Sequence, residues 1–218
     1  MQNRKDISAL LIAGNEPHHH LQLKTFQRYL TSAARVPASR MMYISGQKKG
    51  NSQVLDLANE FVLDARRYRE KTGTAHHLLV VYHGHGLREG FCPDGTPASY
   101  FSLVDTVGFD FPFLFVNSCC YAGQAIETFR DCKVLPSYGS VLASSVFYKP
   151  SYGAVFLDAL VASWKEKQEF RRKKLYVVIH DDSFPVIQND SPSSPRFRTY
   201  AQIPTRAGIS LDFLFYPR

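Results

Sequence analysis

The stretch Leu78-Leu79-Val80-Val81-Tyr82-His83-Gly84-His85-Gly86 decides how this chain is read. Its first residues are apolar without alternation, the pattern of a strand covered on both faces rather than one. The run ends abruptly in two histidines interleaved with two glycines. A second stretch repeats the plan. Phe113-Leu114-Phe115-Val116 runs through Asn117-Ser118 into Cys119-Cys120-Tyr121-Ala122-Gly123. In open parallel sheets, ligands bind beyond the carboxyl ends of the strands. If these two strands are parallel neighbours, their loops emerge at one edge and a histidine faces a cysteine.

Working outward, further apolar runs lie at Ala9–Ala13, Met41–Ile44, Ser140–Val146, Leu175–Ile179 and Ile209–Phe215. With Leu78–Tyr82 and Pro112–Val116 they supply the strands of a sheet. Amphipathic segments separate them. Leu21, Phe26, Leu30 and Ala33 form one stripe, closed by Pro37. Val54, Leu57, Phe61, Ala65 and Tyr68 form a second, with Asn51 or Ser52 as cap. Ala154, Leu157, Leu160, Val161 and Trp164 form a third. Strands alternating with helices predict an α/β fold with a mainly parallel sheet between helical layers. Gly90–Pro97 and Asp190–Pro195 are rich in turn residues and read as surface loops.

The chain has 218 residues, 44% hydrophobic and 21% charged, which suits one domain spanning 1–218 with an ample core. Lys and Arg total 26 against 19 Asp and Glu, a net +7. Part of the excess lies in Lys165–Lys174, which reads as the solvated end of a helix where cations complement the dipole. No stacking aromatics accompany it, so no nucleic-acid partner is expected. The 4 cysteines form no CxxC pair, and with no secretory signal they fit a reducing compartment. The apolar run Ala9–Ala13 is too short for a signal-peptide core. No stretch approaches the roughly 18 to 20 apolar residues that span a bilayer. The expectation is a cytoplasmic protein with no membrane partner.

The chemistry of the two strand ends suits nucleophilic catalysis. A thiolate is the reactive form of cysteine, and a neighbouring imidazolium or helix N-terminus favours it. The histidine can later protonate a leaving amine. The Gly86 N–H and the Cys120 N–H, at the start of its helix, are the two candidate oxyanion donors. Separately the pieces are weak: a lone buried cysteine is usually a small apolar residue, and a His-Gly pair is usually a turn. Their joint placement after two buried strands is more specific. His83 and His85 with Cys119 or Cys120 lack a fourth zinc ligand of recognisable spacing. His18-His19-His20 and His76-His77 read as exposed polar runs. No phosphate loop and no G-x-S-x-G elbow occurs. Neither a metal nor a cofactor is expected.

These motifs resemble the caspase and metacaspase superfamily, and most closely its short fungal and bacterial members. Tyr82-His83-Gly84-His85-Gly86 is similar to the metacaspase Tyr-Ser-Gly-His-Gly strand end. Ser118-Cys119-Cys120-Tyr121-Ala122-Gly123 is similar to the later Asp-Cys-Cys strand end with its following Gly. Leu10-Leu11-Ile12-Ala13-Gly14-Asn15 resembles the first strand, and Ile209-Ser210-Leu211 the last. The resemblance implies a three-layer α/β/α sandwich around a mixed, mostly parallel six-stranded sheet. It implies a cysteine endopeptidase (a thiol protease) acting in regulated cell death or defence. His85 would be the catalytic histidine, Cys120 the nucleophile, and Gly86 and Cys120 the oxyanion donors. The implied partners are a protein or peptide substrate and, where one is needed, an activating partner. Where metacaspases carry a pocket acid two residues before the nucleophile, this chain has Ser118. The second pocket acid has no counterpart near Gln22–Lys24. With Asn117 and Ser118 at its base, the substrate pocket reads as neutral. The alternative is a catalytically silent homologue acting as scaffold or regulator. Such homologues typically lose the Cys or the His, and this chain keeps both.

Overall fold

The computed structural model describes residues 6–108, 112–135, 139–146, 148, 151, 155–170, 175–180, 197–202, 204–208 and 211–217. In chain order these form β1 (Ile7–Ala13), α1 (Pro17–Ser32), β2 (Met41–Ser45), α2 (Asn51–Thr72), β3 (His77–His83), β4 (His85–Leu87) and β5 (Gly90–Cys92). There follow α3 (Tyr100–Val107), β6 (Phe113–Ser118), α4 (Gln124–Asp131), β7 (Gly139–Ala143), α5 (Val155–Lys165), β8 (Leu175–His180), β9 (Phe197–Gln202) and β10 (Thr205–Gly208).

Six strands make the central sheet, in the order β10-β7-β6-β3-β1-β2. All neighbours are parallel except β10, which runs antiparallel to β7. The strands at its centre are buried on both faces, which explains their unbroken apolar runs. Strand periodicity sends alternate residues to opposite layers. Leu10, Ile12, Leu78, Val80, Tyr82, Phe113 and Phe115 pack with α2, α3 and α4, on Val54, Phe61, Leu103, Ile126 and Phe129. Ile7, Ala9, Leu11, Leu79, Val81, Leu114 and Val116 pack with α1 and α5, on Leu23, Phe26, Leu30, Leu157 and Trp164. The result is the three-layer α/β/α sandwich with a mixed, mostly parallel six-stranded sheet that the sequence implied.

Several local expectations are corrected. The sixth strand is β10, not Ile209–Phe215; Asp212–Phe215 is a single 3-10 turn. Ile209 and Ser210 lie outside the described residues, as do Asp190–Pro195, Ala154 and residues 171–174. Leu175–Ile179 is extended, but β8 pairs antiparallel with β9 in a separate ribbon. Gly90–Pro97 is not simply a surface loop. Its first residues pair with β4, and Phe91 is buried against Tyr82 and Tyr100. Helix α1 faces the sheet with Phe26 and Leu30 as expected, but not with Leu21. Leu21 is 65% exposed, and Leu23 takes its place on the sheet. Helix α2 is preceded by Gly50 rather than by a side-chain cap, and the Asn51 amide donates instead to Thr96.

Candidate active site

Strands β3 and β6 are adjacent and parallel, with Tyr82 opposite Asn117 and His83 opposite Ser118. Their carboxyl ends therefore leave the sheet side by side, and the chemistry-bearing turns meet there. The tightest approach is at Gly86. A Cβ on this residue would overlap the Cys120 carbonyl oxygen and lie 2.6 Å from Cys119 Sγ. Only glycine lets the histidine turn lie this close to the cysteine turn. Tyr82 holds the histidine turn from below: its hydroxyl donates to the His85 carbonyl at 2.6 Å and accepts from the Cys92 N–H at 3.1 Å.

The two cysteines differ sharply. Cys119 is 2% exposed and its thiol lies between Tyr100 Oη at 3.4 Å and Asn117 Oδ1 at 3.3 Å. Burial pushes its ionisation far above the ordinary thiol range. Cys120 is partly exposed. The Ser151 N–H donates to its Sγ at 3.3 Å, and the Ser151 carbonyl lies 3.5 Å away. Of the pair, Cys120 is the more exposed thiol.

The turn carrying Cys120 is held by two buried serines that the sequence reading had placed inside a strand. Ser144 Oγ accepts from the Cys119 N–H at 3.1 Å and donates to the Cys119 carbonyl at 2.8 Å. Ser145 Oγ accepts from the Ala122 N–H at 3.2 Å. Both follow β7, which ends at Ala143. Two serines in place of apolar residues at the end of Ser140–Val146 were the available signal. Tyr121 adopts the left-handed conformation, at φ 55°, a geometry that costs a side-chain-bearing residue about 1 kcal/mol or more. Helix α4 begins only at Gln124, with Gly123 as its cap. Cys120 thus sits on a turn ahead of the helix rather than at its first residue, and the helix dipole acts on it from further away.

His85 is about half exposed, and its Nε2 lies 3.6 Å from Glu16 Oε1. No hydrogen bond joins it to Cys120 among the described residues. Beneath it lies a layer of imidazoles. His19, 4% exposed, packs edge-on against His85 at 4.9 Å and His83 at 5.3 Å. Burial, then the neighbouring His83, drives the His19 ionisation down to about 3. His83 is also buried and is lowered to about 4, chiefly by desolvation. Its Nε2 contacts Gln22 Oε1, and its Nδ1 lies 2.9 Å from the Ser118 hydroxyl, so both ring nitrogens face hydrogen-bonding partners. The histidine runs were expected to be exposed, yet His19 and His76 are both buried.

Asn117 and Ser118 were read together as pocket residues, but a strand sends them to opposite faces. The Asn117 amide donates to Tyr100 Oη at 2.8 Å and to the Ala122 carbonyl at 3.0 Å, deep in the α3/α4 layer. Ser118 faces the α1 side with His83 and Gln22.

Strand order, layering and this sheet edge together define a caspase-like α/β sandwich. Among solved structures the chain is similar to caspase-1 from Spodoptera frugiperda, with a TM-score of 0.61 over 95% of this chain and 88% of that one. Sequence identity is 13%, so the likeness is one of fold. No protein-family model and no curated protein matches the sequence. Among the described residues, no helix is long and apolar enough to cross a membrane.

Proposed function

We propose that this protein is a single-domain cysteine endopeptidase of the caspase and metacaspase type, cleaving particular protein substrates in regulated cell death or defence. The observation that carries the reading is the unequal treatment of the cysteine pair beside the His85-Gly86 turn: Cys119 is sealed and protonated, Cys120 is open. His85 takes the Cys120 thiol proton, and Sγ attacks the scissile carbonyl carbon, forming a C–S bond while the carbonyl electrons move to oxygen. The Gly86 and Cys120 N–H groups are the candidate donors to that oxyanion. His85 gives its proton to the leaving nitrogen as the C–N bond breaks, leaving a thioester. Water then attacks, His85 takes its proton, and the acid product leaves as the thiol is restored.

The specificity pocket of this reading is neutral. The residue two before Cys120 is Ser118, an uncharged group hydrogen-bonded to a buried, uncharged His83, and an unpaired cation or anion beside them would be costly. The test is labelling with an electrophilic peptide, read by mass spectrometry. Selective modification of Cys120, lost in Cys120→Ala and retained in Cys119→Ala, is expected. Cleavage should vanish in Cys120→Ala and His85→Ala alike. An active Cys120→Ala would overturn the assignment.

A further inference from the structure

We infer that Glu16 is a positioning residue for His85, making the reactive unit Cys120–His85–Glu16 rather than a bare pair; this rests on the peptidase reading above. Glu16 directly precedes Pro17, the first residue of α1, and its side chain makes no capping hydrogen bond to that helix. Only its backbone carbonyl serves there, accepting from the His19 N–H at 3.1 Å. The carboxylate is therefore free of the usual structural duty at such a position, and it lies 3.6 Å from His85 Nε2.

The geometry divides the work of the ring. With Nε2–H turned to a carboxylate, Nδ1 is left to exchange a proton with the thiol and the leaving amine. His19 supplies the wall. Its ring is fixed edge-on against His85, and its Nδ1 has no hydrogen-bond partner among the described residues. That nitrogen faces Gly14, where a Cβ would come within 2.8 Å of it and within 2.9 Å of Gly84 Cα. The loop after β1, the first turn of α1 and the turn after β3 thus lock together, and Glu16 and His19 limit His85 from two sides.

The experiment compares the parent protein with Glu16→Gln, Glu16→Ala and Glu16→Asp. Three quantities are read: the rate of Cys120 alkylation by iodoacetamide at pH 7, kcat and KM on a cleaved peptide, and the His85 tautomer by 15N shifts. Both ionic partners are half exposed, so the expected loss is about fivefold in kcat and in alkylation rate, the equivalent of about 1 kcal/mol. KM should stay put, Glu16→Asp should recover part of the rate, and the loss should shrink in high salt. A purely structural role would instead lower the melting temperature without moving the tautomer. Unchanged kcat and alkylation in Glu16→Gln, with Cys120→Ala and His85→Ala inactive, would overturn the role of Glu16 alone. A Cys120→Ala protein that still cleaves would sink the dyad itself, and Glu16 with it.

Discussion

Acid should unfold this protein well above the range where carboxylates titrate, because its histidines are buried in the neutral form. His19 is lowered to about 3, and His76 and His83 to about 4, each mainly by burial. A histidine whose folded value lies below its unfolded one, near 6.5, adds stability above pH 6.5 and loses it as pH falls toward the folded value. Between pH 7.5 and 5.5 the unfolded chain takes up nearly one proton at each site while the folded protein takes up almost none. Each site then costs about 1 kcal/mol, and the three together about 3 to 4 kcal/mol. Domains of this kind are stable by only about 5 to 15 kcal/mol, so the effect is a large share of the total. Urea melts at the two pH values measure it directly. The Ser8–His76 bond, 2.9 Å and buried, gives an internal check: His76→Gln should flatten the pH dependence by about a third. A change smaller than about 1 kcal/mol over that interval would refute the view that these rings are neutral and sealed.

Two further outcomes follow from the packing of the site. Gly86→Ala must push the Cys120 carbonyl aside, so kcat/KM should fall about a hundredfold. The same change should cost about 1 to 3 kcal/mol of stability, and a near-parental kcat/KM would show that the two turns do not pack as described. Otherwise identical fluorogenic peptides ending in Arg, Asp or Leu before the cut should favour the uncharged residue. A hundredfold preference for Arg, about 2.7 kcal/mol, would refute a neutral specificity pocket.

The central sheet was legible because its strands are covered on both faces. Leu78–Tyr82 and Pro112–Val116 carry no polar interruption, and that alone places them near the middle of a parallel sheet and their loops at one edge. What escaped the reading depends on partners distant in sequence. Phe91 lies among Gly, Pro and Asp and looks like part of a loop, yet it is buried because Tyr82 and Tyr100 close over it. Strand β10 is Thr205-Arg206-Ala207-Gly208, hardly apolar, and it is a strand because β7 offers it an open edge. Arg206 lies beside the buried Asp212 at 2.8 Å, a partner no local pattern announces.

The first turns of α1 had the largest consequence for the site. A run of three histidines reads locally as an exposed polar segment, and that expectation hid the buried member. The buried positions are His19, Leu23, Phe26, Tyr29 and Leu30; Phe26 and Leu30 belong to the expected stripe, and Leu23 and His19 extend it toward the N-terminus at helical spacing. Once that stripe faces the sheet, the rest follows. His19 must lie under the strand ends, Gln22 reaches His83, and Glu16, ahead of the first turn, comes to His85. The polar member of an otherwise apolar stripe was the signal, for a histidine kept on the buried face of a helix has to meet something. Here it meets His83 at the end of β3 and His85 at the start of β4.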